Sequence, residues 1–205
     1  LCGGRPLVLI ADSFLVEAGV TDRIAGQLGE AGIDSAVFSD FGGEPKAGHI
    51  SRAATIAADS GAGALIGIGG GSALDITKVA GCCAVSGADP MHYALAANPL
   101  PAAPLPRIMI PTTAGTGSEA NGTSIFSNAD GKKVWVHGSE TKADLVFLDP
   151  RLTESLPATL TAWCGMDAFV HAFEVATNRW AHDGAKLFAH KALGLITRSL
   201  ATAVS

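Results

Sequence analysis

The feature that most constrains this chain is the stretch Ala64-Leu65-Ile66-Gly67-Ile68-Gly69-Gly70-Gly71-Ser72. An apolar run of strand length enters three consecutive glycines, and a segment with apolar residues at Leu74, Ile76 and Val79 follows. Strand, glycine turn and helix together aim backbone N–H groups and a helix N-terminus at one place, an arrangement that receives a phosphate. Glycine suits the turn because a Cβ would hold an anion away and because tight turns often use positive φ. Ser72 is expected to cap the helix, with Asp75 three residues on completing a capping-box-like pair. Lys78 is expected on the same helix face as Asp75, so that an acid and a base both look toward the turn. The same residues also describe an ordinary capped βα turn with a solvated lysine, and the rest of the chain has to separate the two.

Upstream, Leu7 to Ala11 reads as a buried strand ending at Asp12, residues 13–31 carry helical spacing, and Ala36 to Phe38 reads as a second strand. Residues 46–59 are alanine-rich and helical in pattern. This alternation predicts parallel strands joined by right-handed crossovers, with ligands at the carboxyl ends of the strands. Asp40 follows the second strand. An acid there can accept from a ribose 2′-OH and repel a 2′-phosphate, although Asp before Gly-Gly is also a common turn residue. A proline-punctuated loop over 86–106 interrupts regular structure, and Ile108-Met109-Ile110 then reads as a strand. Behind it runs Pro111-Thr112-Thr113-Ala114-Gly115-Thr116-Gly117-Ser118-Glu119, a hydroxyl- and glycine-rich loop suited to close packing against a nucleotide. Thr123 to Phe126 and Val134 to Val136 read as a hairpin around Asn128-Ala129-Asp130-Gly131. Leu145 to Leu148 reads as one more strand, and from Leu152 onward the pattern is helical, broken near Pro157 and around 178–184.

The chain is therefore expected to be α/β over residues 1–151 and all-helical over 152–205. Its composition agrees: 48% hydrophobic and 16% charged residues suit a buried parallel sheet. A net charge of −5 without a basic cluster argues against nucleic acid or an anionic membrane as main partner. No apolar run reaches the roughly 18 residues of a membrane span. Cys2, Cys82, Cys83 and Cys164 lack metal-site spacing and are expected to be reduced, small apolar residues in a cytoplasmic protein.

Asp167 and His171, in Gly165-Met166-Asp167-Ala168-Phe169-Val170-His171-Ala172-Phe173-Glu174, stand four apart. On a helix they share a face and can offer one oxygen and one nitrogen to a divalent metal. An ordinary Asp–His hydrogen bond has the same spacing. The apolar neighbours predict that this helix is largely buried.

Three stretches together resemble the iron-containing (group III) alcohol dehydrogenases: Gly69-Gly70-Gly71-Ser72-x-x-Asp75-x-x-Lys78, Pro111-Thr112-Thr113-Ala114-Gly115-Thr116-Gly117-Ser118-Glu119, and Gly165-Met166-Asp167-Ala168-x-x-His171-Ala172-x-Glu174. Asp149-Pro150 followed by Leu156-Pro157 is similar to that family's domain junction. The resemblance implies a Rossmann-like dinucleotide-binding domain followed by an all-helical domain, in the dehydroquinate synthase-like architecture. It implies a metal-dependent alcohol dehydrogenase or aldehyde reductase that moves a hydride between a primary or secondary alcohol and NAD. By motif match, Gly70, Gly71 and Ser72 would hold the pyrophosphate, and Asp75 would face the nicotinamide end. Thr112, Thr113, Thr116 and Ser118 would line the cofactor, with Lys133 reaching it from the hairpin. Asp40 matches the acid that reads the adenosine ribose, which favours NAD over NADP. Asp167 and His171 match the first two ligands of Fe²⁺, with Zn²⁺ as the alternative. The family takes two further histidine ligands from helices that this sequence does not contain, so the chain is expected to be a truncated member. The expected assembly is a homodimer or higher homo-oligomer. The alternatives are a zinc-dependent polyol dehydrogenase of the same superfamily and a dinucleotide-binding module without turnover.

Overall fold

The computed structural model describes residues 2–205. They form two compact units: the chain up to Pro111 together with Ser118–Leu148, and Thr112–Gly117 together with Asp149–Ser205.

The first unit is built on strands β1 (Leu7–Ala11), β2 (Ser35–Phe38), β3 (Ala64–Gly69), β4 (Arg107–Pro111) and β7 (Leu145–Val146), all parallel in the order β2-β1-β3-β4-β7. Helices α1 (Ser13–Glu17), α2 (Val20–Glu30), α3 (Ala47–Asp59) and α4 (Gly71–Ser86) make the crossovers. Side chains alternate along each strand. Leu7 and Leu9 of β1 and Ala64 and Ile66 of β3 pack with Ile24 and Leu28 of α2. Val8, Ile10 and Leu65 meet the opposite layer, where Ile50 and Ala53 of α3 cluster with Ile76, Val79 and Ala80 of α4. Both sheet faces are thus covered, as a parallel sheet requires.

A separate antiparallel hairpin, β5 (Thr123–Ser127) and β6 (Lys133–His137), lays Phe126, Val134 and Val136 into the α4 layer. Its turn is held by Asn128, whose Oδ1 accepts from the N–H groups of Asp130 and Lys132 at 3.0 and 2.9 Å. The single helix expected over 13–31 is two: Gly19, at φ +69°, breaks the path between α1 and α2. Such a backbone is costly for any residue with a Cβ, so glycine at that position ends the first helix.

The second unit contains a short 3-10 turn at Pro150–Thr153 and two helices, α5 (Ala158–Thr177) and α6 (Asp183–Val204). α6 is capped by His182, whose Nδ1 accepts from the Ala185 N–H at 3.1 Å. At Gly165 a side chain would strike Leu200, so glycine lets α6 approach α5 closely. The expectation of a largely buried α5 does not hold: only Ala172 is buried, while Trp163, Met166, Val170 and Phe173 are exposed. Two helices packed side by side cover one stripe of each other and leave the remaining apolar faces to solvent.

Among the described residues no helix is long and apolar enough to cross a membrane. All four cysteines are free thiols, and burial pushes Cys82 up to about 11 and Cys83 up to about 12, so neither is a thiolate at neutral pH.

Candidate functional site

β3 delivers the glycine turn. Gly69 has φ +146°, and a Cβ there would collide with the Asp12 carboxylate, so both backbone conformation and space demand glycine. Gly70 occupies the N-cap position and α4 begins at Gly71, with no side chain capping its first turn. This corrects the expectation for Ser72. The helix starts two residues earlier than predicted, which puts Ser72 inside the first turn. Its hydroxyl instead donates to the Gly43 carbonyl at 2.9 Å. The first-turn N–H groups therefore have no side-chain acceptor from the expected cap, and an anion is a fitting partner for them.

Asp12, absent from the sequence-based candidates, belongs to this site. It follows β1, and its Oδ2 accepts from the Gly70 N–H at 2.9 Å. Burial raises its pKa, and the Gly70 hydrogen bond partly opposes that shift. The strand order explains its importance. Consecutive strands leave β1 in opposite directions, toward β2 and toward β3, so the topological switch point lies between β1 and β3. Asp12 and the glycine turn flank that point. Only the bare pattern of an acid ending an apolar strand could have flagged Asp12, and Asp40 shows the same pattern.

Asp40 lies one strand further out. Its side chain is 84% exposed and pairs with Arg52 Nη2 at 3.0 Å. The same guanidinium donates to the Asp40 carbonyl at 2.7 Å and sits over the Phe38 ring. Lys133 pairs with Glu44 at 3.4 Å, and Glu44 also accepts from the Ser127 hydroxyl at 3.1 Å. The hairpin lysine and Ser72 are thereby tied to one short segment, Gly43-Glu44.

Asp75 and Ser118 are brought into direct contact, the Ser118 hydroxyl donating to Asp75 Oδ1. Asp75 Oδ2 accepts from the Ile125 N–H at 3.0 Å, and the Asp75 carbonyl accepts from Ser124 Oγ at 2.9 Å. Lys78 does not look toward the glycine turn. Its side chain is 0% exposed and is enclosed by Asp75, Ser118, Asn121 and Thr123. Burial lowers its pKa, while the charge and hydrogen bond of Asp75 push it back up.

Thr112, Thr113 and Thr116 belong to the second unit. Their loop lies against α5 at Gly115, where a Cβ would come within 2.6 Å of the Cys164 carbonyl oxygen. Ala114 of the loop lines a cavity of about 430 Å³ with Cys164, Gly165 and Ala168 of α5 and Ile196 and Leu200 of α6. On α5, Asp167 Oδ2 and His171 Nδ1 stand 3.8 Å apart, with side chains 46% and 56% exposed. One carboxylate oxygen and one imidazole nitrogen at this separation suit a divalent first-row metal as a partial ligand set. Among the described residues no group of three or more His, Cys, Asp or Glu comes together that could hold a metal.

The family model for iron-containing alcohol dehydrogenase matches residues 2–150. The long-chain-alcohol dehydrogenase 1 of Geobacillus thermodenitrificans is 36% identical over 205 residues, covering 99% of this chain and 52% of the relative. The sulfoacetaldehyde reductase of Bilophila wadsworthia is 38% identical over 172 residues, 83% of this chain and 44% of the relative. Among solved structures, sulfoacetaldehyde reductase from Bifidobacterium kashiwanohense in complex with NAD⁺ superposes with a TM-score of 0.92 at 29% identity, covering 98% of this chain and 53% of that one. The chain spans about half the length of the curated relatives it matches.

Proposed function

Since the chain belongs to the iron-containing alcohol dehydrogenase family, we propose that its protein transfers a hydride between a primary or secondary alcohol and NAD with the help of a divalent metal, iron(II) or zinc. The observation that carries this reading is the glycine turn at the β1/β3 switch point, with the uncapped first turn of α4 behind it. The N–H groups at Gly71 and Ser72 are the proposed pyrophosphate donors, with Gly70, whose N–H is held by Asp12, giving the phosphates bare backbone to pack against.

The ribose has two candidate acids. Asp40 carries a salt bridge to Arg52, which offsets its charge, and it follows a strand that is not adjacent to β3. Asp12 follows the adjacent strand and bonds directly to the turn. We therefore place the ribose-reading acid at Asp12, with Asp40 as the outer alternative. Asp75, Ser118 and Lys133 complete the proposed cofactor groups of the first unit. Thr112, Thr113 and Thr116 are the proposed hydroxyl groups of the second.

Asp167 and His171 are the proposed metal ligands on this chain. When bound, NAD supplies the hydride acceptor and the metal supplies Lewis acidity toward the alcohol oxygen. The chain's own contribution is orientation: backbone N–H groups fix the dinucleotide's phosphates, and α5 presents its two ligands from adjacent turns. A dinucleotide-binding chain without turnover is the second reading: among the described residues no third His, Cys, Asp or Glu joins Asp167 and His171. We also propose a cytoplasmic protein that assembles as a homodimer or higher homo-oligomer, and light scattering of the purified protein checks the assembly. Oxidation of an alcohol series with NAD, after separate loading with Fe²⁺ or Zn²⁺, tests the activity. NADH formation with one metal supports the dehydrogenase, and NAD binding without any NADH formation supports the second reading.

A further inference from the structure

Lys78 carries the only lysine side chain that is fully buried among the described residues, and all of its partners lie within the first unit. Its ammonium lies 3.2 Å from Asp75 Oδ1, 2.7 Å from Ser118 Oγ, 3.0 Å from Asn121 Oδ1 and 2.6 Å from the Thr123 carbonyl. Three N–H donors face four acceptors, so every proton is engaged and none is offered outward. The bonds also have a fixed sense. Lys78 donates to Ser118, and Ser118 donates to Asp75. Asn121 Oδ1, besides accepting from Lys78, accepts from the Thr123 N–H at 2.8 Å, which shapes the entry to β5.

We propose that Lys78 is a positioning residue of the cofactor site, a buried ammonium that orients Asp75 and Ser118 and anchors the start of the hairpin carrying Lys133. This rests on the reading of the glycine turn as a dinucleotide seat. Two of the proposed cofactor groups of the first unit depend on the same ammonium, and the hairpin that carries a third is anchored to it at the opposite end. Asp75 and Ser118 bond it directly. Lys133 stands on β6, paired with the strand whose first residue, Thr123, bonds it. A sequence reading sends Lys78 toward the phosphate because it lies one turn past Asp75. The four acceptors draw it the other way, into the layer beneath the hairpin. Removing the ammonium would leave Asp75 partly buried without its cation, so the carboxylate would turn toward water.

The test compares NAD with ADP on the intact protein by titration calorimetry. ADP carries the pyrophosphate that the glycine turn is proposed to hold, and it lacks the nicotinamide riboside. Lys78→Met is expected to weaken NAD binding about tenfold, the scale of one lost charge-assisted contact, while changing ADP binding less than about twofold. Asn121→Ala keeps the ion pair, removes one acceptor and is expected to weaken NAD about threefold with ADP again unchanged. It decides the question if Lys78→Met does not fold. Folded variants whose NAD and ADP affinities are both unchanged, or both reduced in equal measure, overturn the positioning role. A wild-type protein that binds neither nucleotide overturns the dinucleotide reading, and the role of Lys78 with it.

Discussion

Asp12 and Asp40 each end an apolar strand, and nothing local in the sequence ranks one above the other. Strand order does so. β1 is the neighbour of β3 and β2 is not, and that adjacency is a long-range property that periodicity does not encode. Asp12→Asn keeps an acceptor for the Gly70 N–H and removes the charge, so it isolates electrostatics. It is expected to raise the ratio of NADP to NAD affinity at least about tenfold, equivalent to roughly 1.4 kcal/mol. Asp40→Asn, whose charge Arg52 already offsets, is expected to change the ratio less than about threefold. Measured affinities for both cofactors check this, and a larger effect at Asp40 would return the ribose to the outer strand. The same residue predicts a pH dependence. Burial raises the folded pKa of Asp12, so the folded state binds that proton more tightly than the unfolded chain does. Its ionised form then costs stability at neutral pH, and the cost fades as pH falls through the raised value. Asp12→Asn is accordingly expected to melt higher than wild type at pH 7, with the two melting curves converging in acid.

At the scale of elements, hydrophobic periodicity was enough to locate the principal strands, the hairpin and the helical tail. The features it missed are ones in which a backbone torsion or a distant partner decides. Gly19 splits the first helix through its left-handed φ, and Ser72 falls inside the first turn of α4, where its hydroxyl donates to the Gly43 carbonyl of a different loop. Lys78 turns inward for the same kind of reason: Ser118, Asn121 and Thr123 are distant in sequence. The threonine-rich loop was legible as a special loop, but its rest against α5 was not. Gly115 is required there because the Cys164 carbonyl belongs to a helix backbone that does not give way. Gly115→Ala is expected to destabilise the second unit by about 1–3 kcal/mol, the range for overpacking, as read by denaturant unfolding. An unchanged midpoint would show that the loop yields instead.

At the scale of the whole molecule, the two units carry different halves of the proposed chemistry: phosphate-facing N–H groups in one, a carboxylate and an imidazole in the other. The motif spacing made both halves legible in order along the chain, because each motif is local to one turn or one helix. The exposure of α5 was not legible. Apolar neighbours in sequence say that a face wants cover, and they do not say what supplies it. Asp167→Ala in the intact, metal-loaded protein is expected to lose most of its bound metal by elemental analysis while NAD binding stays within about twofold. Retained metal would remove Asp167 from the ligand set. The glycine turn as the dinucleotide seat is tested by calorimetric titration of NAD into wild type and Gly71→Asp. An aspartate placed at the first position of α4 sets a negative charge where the pyrophosphate is proposed to lie. One NAD per wild-type chain is expected, with at least about tenfold weaker binding in the folded variant. NAD bound equally well by both proteins would contradict it.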